Sequence, residues 1–164
     1  KKTFNNDNDF EIGNLLIHPF STPHDAANPC GFNIYSGKRK ISIATDLGHM
    51  DNVILENLKG SSFILLESNY DPEILKVSKY PYILKQRIAG PNGHLSNSTA
   101  GKTIGCLIQN DLKTVMLGHL SKENNFPELA YQTVVEELIG QNIDTNEISL
   151  SVANRNNPTK IIEL

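Results

Sequence analysis

The chain has 164 residues, 38% of them hydrophobic, and its 15 Lys and Arg against 18 Asp and Glu leave a formal net charge of −3. That length supports a domain with a real core, and the acidic balance argues against binding nucleic acid through a globally basic surface. No apolar run is long enough to span a membrane.

In chain order, residues 10–20 read as one strand, the second arm of a hairpin whose partner lies in or before residues 1–4. The polar run Asn5-Asn6-Asp7-Asn8-Asp9 is turn chemistry. Residues 31–36 and 40–44 pair about Gly37-Lys38, with Lys40-Ile41-Ser42-Ile43 alternating as an inward-facing strand. A helix over 52–58 places Val53, Ile54 and Leu58 on one face and ends at Gly60. Residues 61–66 form a short, continuously apolar strand of the buried type. The helix over 95–109 carries Ala100, Ile104, Leu107 and Ile108, and Cys106 on that apolar helix reads as a packing residue. After a strand over 114–118, a helix over 127–139 carries the stripe Phe126, Leu129, Ala130, Val134, Leu138 and Ile139. Pro127 suits its first turn and Gly140 its end. A strand over 147–152 closes a layered α/β pattern, read as a single domain over 1–164. The two thiols, Cys30 and Cys106, have no metal-like pairing and suit a reducing cytoplasm.

Three strand-like runs release a metal-binding side chain at their ends: His24 in Ser21-Thr22-Pro23-His24-Asp25, Asp46 in Ala44-Thr45-Asp46-Leu47-Gly48, and His119 in Leu117-Gly118-His119-Leu120. Imidazole and carboxylate suit zinc, manganese or iron. No segment offers several ligands together, so the set looks like half of a two-metal site. His94 directly precedes a helix start, where backbone N–H groups favour an anion and an ordinary imidazole pKa suits proton transfer. It reads equally as a residue that stabilises that turn. Alternatives stay open elsewhere too. Asp25 orients His24 or caps a turn, Asp46 taken alone suits a turn or helix cap, and Glu67 orients a histidine or is solvated. His49 reaches the site or only its wall, and His18 is structural or exposed. Lys85, Arg87, Lys102 and Arg155 guide phosphate or are solvated charges.

The segments Thr22-Pro23-His24-Asp25-Ala26-Ala27-Asn28-Pro29-Cys30-Gly31-Phe32, Ala44-Thr45-Asp46-Leu47-Gly48-His49, Leu66-Glu67-Ser68-Asn69, Gly93-His94-Leu95-Ser96-Asn97 and Gly118-His119-Leu120-Ser121-Lys122-Glu123-Asn124-Asn125 stand in this order. In that order they resemble the metallo-β-lactamase fold superfamily, and within it the YycJ/WalJ-type nucleases. The resemblance implies the C-terminal part of a four-layer αββα sandwich, whose H-x-H-x-D-H half would precede Lys1. It also implies two divalent ions, with His24 and His119 as ligands and Asp46 bridging them. Asp46 and His94 become the catalytic pair, His94 facing substrate. The expected activity is a metal-dependent phosphodiesterase in the cytoplasm, a DNA exonuclease acting on DNA rather than RNA, with this chain inert by itself. The rival readings are hydrolysis of a thioester or lactam, and a non-catalytic remnant.

Overall fold

A computed structural model describes residues 3–6, 8–110 and 112–163. Seven strands lie side by side in sequence order: β1 (Phe10–Ile12), β2 (Leu15–Ser21), β3 (Cys30–Ser36), β4 (Arg39–Ala44), β5 (Phe63–Glu67), β6 (Thr114–Gly118) and β7 (Ser149–Val152). The first four pair antiparallel and β4 to β7 pair parallel. Parallel neighbours need long crossovers, and helices supply them. Between β4 and β5 runs α1 (Asn52–Leu58). Between β5 and β6 run α2 (Pro72–Val77), α3 (Tyr82–Ala89) and α4 (Asn97–Ile108). Helix α5 (Pro127–Gly140) and a 3-10 turn at Thr145–Glu147 lead to β7.

The strand expected over 10–20 is broken at Gly13-Asn14, where Gly13 takes a positive φ of 60°. Its two pieces pair with each other, Phe10 opposite Ile17, so the hairpin closes within that run. Of the partner expected at 1–4, residues 1 and 2 lie outside the described residues, as does Asp7 of the turn run; Thr3 and Phe4 form no strand. The turn at Gly37-Lys38 is as expected, with Gly37 at a φ of 58°.

The alternation of Lys40-Ile41-Ser42-Ile43 leaves its inward face open, and packing decides it. The helix-covered face of β4 carries Lys40, Ser42 and Ala44, all buried, while Ile41 and Ile43 point to the other face. Buried polar groups there pair with one another: Ser42 Oγ lies 2.6 Å from both Asn33 Oδ1 and Ser61 Oγ. The Lys40 ammonium donates to the carbonyls of Asn57 and Lys59 at the end of α1. The core proper joins Ala44, Ile64, Leu66, Val115 and Leu117 to Ile54 and Leu58 of α1, Ala100, Ile104 and Leu107 of α4, and Ala130, Val134 and Leu138 of α5.

On the opposite face Phe32, Ile34, Ile41, Ile43, Phe63 and Leu65 are half-exposed and stand outside that core. Phe4 stacks on Phe10 and meets Phe32 edge-on at one end of this face, at 5.1 and 5.7 Å between ring centroids.

Asp51 caps α1 by accepting the Ile54 N–H at 2.8 Å, which turns Val53 outward, 67% exposed, rather than onto the buried face. Phe126 and Ile139 lie at the margins of the α5 stripe and are likewise exposed. Cys106 is an exposed free thiol, not a packing residue, because Ala100, Ile104 and Leu107 take the buried face of α4. Helices α2 and α3 were not legible from apolar periodicity; the Asp71-Pro72 cap was the available signal, and Asp71 accepts from the N–H groups of Glu73 and Ile74. Among the described residues no helix is long and apolar enough to cross a membrane.

Candidate metal centre

Strand direction brings the candidate residues together. Because β4, β5 and β6 are parallel, Asp46 just after β4, Glu67 ending β5 and His119 just after β6 emerge at one rim. Two antiparallel steps make β2 run parallel to β4, so His24, beyond the end of β2, reaches the same rim. His94 arrives from the loop between α3 and α4.

Two of these residues sit in left-handed backbone, Asp46 at φ 58° and His119 at φ 55°. For residues with a Cβ, such a conformation costs of order 1–3 kcal/mol and is held by its surroundings. Here it turns both side chains off their strands toward a shared space. One oxygen, Asp46 Oδ1, lies 3.4 Å from His24 Nε2, 3.9 Å from His94 Nδ1 and 3.7 Å from His119 Nδ1. The three imidazoles stand in a row, His24 to His94 at 4.9 Å and His94 to His119 at 5.3 Å between centroids.

Beneath them Glu67 is fully buried, and its carboxylate is saturated. Oε1 accepts from His94 Nδ1 at 2.8 Å and from His119 Nδ1 at 2.6 Å. Oε2 accepts the backbone N–H groups of Leu47 at 3.0 Å and Leu95 at 3.3 Å. Burial pushes the Glu67 carboxyl up, but the hydrogen bonds from His119, His94 and Leu47 outweigh it and hold the group ionised below its ordinary value. The same contact raises His119: the bond to Glu67 leads, burial opposes it, and the charges of Glu67 and Asp46 add to it. The solvated reading of Glu67 is thereby removed. Its signal was present as a carboxylate ending the apolar run Phe63-Ile64-Leu65-Leu66, where an ionised group survives only if paired.

The donor set fits a divalent ion of borderline hardness. One atom each from Asp46, Glu67, His94 and His119 lies within 4.8 Å of the others, and His24 joins through Asp46. His24 Nδ1 lies 2.8 Å from the Gly93 carbonyl, so donation there leaves Nε2 as the basic nitrogen, facing Asp46. Donation of Nδ1–H to Glu67 leaves Nε2 basic on His94 and His119 as well. A carboxylate or carbonyl behind an imidazole is the usual support of a metal-binding histidine.

The loops around the rim are tied to one another. Gly48 N–H donates to Pro23 O at 2.8 Å and Asp25 N–H to Asn92 O at 3.0 Å. A Cβ on Gly93 would collide with the carbonyl oxygens of Arg87 and Ile88, so glycine is required where that loop doubles back. Arg87 is paired with Asp25, whose carboxyl it holds below the usual range. Lys85 Nζ donates to Lys76 O, away from any patch at His94. His49 is exposed, with Nδ1 2.7 Å from Pro91 O, outside the donor cluster, and His18 pairs with Asp9. A feature that spacing did not reveal is the amide network behind the rim. Asn125 Nδ2 donates to the carbonyls of Ser68 and Asn69 and to Asn97 Oδ1, and Asn69 Nδ2 donates to His119 O at 2.7 Å.

This mixed sheet, covered on one face by helices, is similar in fold to metallo-β-lactamase fold proteins. The metallo-β-lactamase fold protein YhfI of Bacillus subtilis superposes with a TM-score of 0.61 at 14% identity, over 92% of this chain and 51% of that one. In sequence the chain is homologous to two exodeoxyribonucleases. It is 33% identical over 127 residues to YycJ of Bacillus anthracis, covering 77% of this chain and 48% of that protein. It is 35% identical over 127 residues to WalJ of Streptococcus pneumoniae serotype 2, covering 77% and 47%. The chain therefore spans about half the length of the curated relatives it matches. No protein-family profile matches it.

Proposed function

We propose that this chain forms part of a cytoplasmic, metal-dependent phosphodiesterase, a DNA exonuclease of the metallo-β-lactamase superfamily. The observation that carries this reading is the placement of Asp46 Oδ1 within 3.9 Å of ring nitrogens from three histidines, two of them tied to one buried carboxylate. The exonuclease names of the homologues support the substrate class, and the two free thiols suit a reducing compartment.

Two divalent cations, zinc, manganese or iron, supply Lewis acidity and an activated water nucleophile when bound. His24 and His119 would each offer a ring nitrogen to these ions, and Asp46 would offer its carboxylate to both. Glu67 holds the rings of His94 and His119 in one orientation. With Nδ1–H held by Glu67, Nε2 of His94 faces outward from that bond and, once it has taken up a proton, would pass it to a phosphate oxygen or to the departing alkoxide. Three such side chains, His24, Asp46 and His119, would not supply four donors to each of two ions, so further protein donors would be needed.

The test is turnover by the full-length protein on 5′-labelled DNA, on bis-p-nitrophenyl phosphate and on a chromogenic lactam, with metal content measured alongside. DNA and phosphodiester hydrolysis that EDTA abolishes is expected; lactam hydrolysis alone refutes the reading. Asp46→Ala should lose metal and activity together. His94→Ala should keep its metal and lose roughly 10²–10⁴-fold in turnover on DNA. The loss should be smaller on the nitrophenyl ester, whose leaving group needs little protonation.

A further inference from the structure

Beside the rim, a groove of about 310 Å³ runs between the loop that follows His119 and the segment after β7. Its lining includes His119, Leu120, Lys122, Phe126, Ala153 and Arg155. We propose that this groove seats one nucleotide of a single DNA strand, its base stacked on Phe126 and its backbone phosphate held by Lys122 and Arg155. The inference rests on the phosphodiesterase reading and names the site for the nucleotide adjoining the scissile phosphate.

Three observations support it. First, His119 lines the groove and also belongs to the donor cluster, so the groove adjoins the centre. Second, Phe126 lines the groove and is 48% exposed, and its backbone is anchored. Its N–H donates to Asn125 Oδ1 at 3.0 Å, and the Asn125 amide is itself pinned to Ser68, Asn69 and Asn97. An exposed aromatic face on an anchored backbone is what base stacking uses, without regard to base identity. Third, among the described residues the lining contains two cations and no Asp or Glu, although the chain as a whole has a net charge of −3. Glu123 and Glu128 are close in sequence but do not line it. Arg155 donates to the carbonyl of Leu120, another lining residue, and its charge acts on His119. The volume suits a single small ligand moiety, at the low end of the roughly 300–1,000 Å³ of ligand pockets.

The experiment is fluorescence anisotropy of the full-length protein with a labelled oligothymidylate, and with the same length of abasic backbone, in EDTA. Manganese binding is measured on the same preparations. Phe126→Ala should weaken binding of the oligothymidylate about 5- to 100-fold and leave the abasic strand unchanged. Phe126→Trp should bind at least as well as the unaltered protein. Arg155→Gln should weaken both strands and flatten the salt dependence. Should Phe126→Ala lower the melting temperature, Phe126→Leu, which keeps apolar bulk without an aromatic face, decides in its place. Equal loss on both strands, no loss on either, or no binding by the unaltered protein overturns the groove assignment. Failure to bind manganese, with stacking intact, would instead overturn the hydrolytic reading and leave the groove standing.

Discussion

Glu67 couples the ionisation of the rim to the stability of the metal-free fold. Its folded pKa lies below the ordinary 4.5, so its contribution is present above that pH and is lost as pH falls through the folded value. His119 lies above its ordinary 6.5, so its contribution is complete below that pH and is lost as pH rises through the folded value. In EDTA, urea midpoints measured from acid to alkaline pH should peak between about 4.5 and 6.5. A profile still rising above neutrality would count against the Glu67 pair. Glu67→Gln removes the charge but not the burial, so the His119 pKa read by imidazole NMR should fall. The expectation that His24, Asp46 and His119 gather at one rim is matched by the distances, because each follows a strand of the same direction. The hub role of Glu67 was not legible, since spacing alone does not say which strand-end carboxylate is shielded from water.

At the scale of elements, two contacts set where the helices and loops stand. Lys40 crosses from β4 to the end of α1, and burial pulls its ammonium down while two carbonyls hold it. Lys40→Met would orphan those carbonyls and should cost about 1–3 kcal/mol in urea unfolding. The loop between α3 and α4 carries both Gly93, whose carbonyl accepts from His24, and His94. Gly93→Ala should cost about 1–3 kcal/mol through overpacking and should also weaken manganese binding, measured by calorimetry. Unchanged metal affinity in a destabilised Gly93→Ala protein would separate the loop from the centre. Helices α1, α4 and α5 were readable because an apolar face repeats along each. The shorter α2 and α3 were not, because α3 buries no residue and α2 only Leu75.

For the whole molecule, the consequential feature is the face of the sheet that carries Phe32, Ile34, Ile41, Ile43, Phe63 and Leu65 outside the helix-covered core. A contiguous apolar surface of this kind drives association. The 164-residue chain should therefore self-associate in sedimentation velocity. Ile43 and Leu65 are neighbours across β4 and β5, so replacing both with lysine should shift the species toward monomer with little loss of helix content. A monomeric unaltered chain would mean that the N-terminal segment shields this face more fully than Phe4 and Phe10 indicate.

By itself the sequence determined which strand-like run each of His24, Asp46 and His119 follows, the main helices and the kind of donor each run releases. These are local matters: a period of two or of 3.6, a cap, a glycine turn, a histidine after an apolar run. Only the tertiary structure decided which face of β4 is covered, since Lys40-Ile41-Ser42-Ile43 alternates equally well in either orientation and burial depends on what packs against the sheet. It alone joined Glu67 to His94 and His119, residues 27 and 52 positions away, because a hydrogen bond depends on distance in space and leaves no periodic trace in the chain.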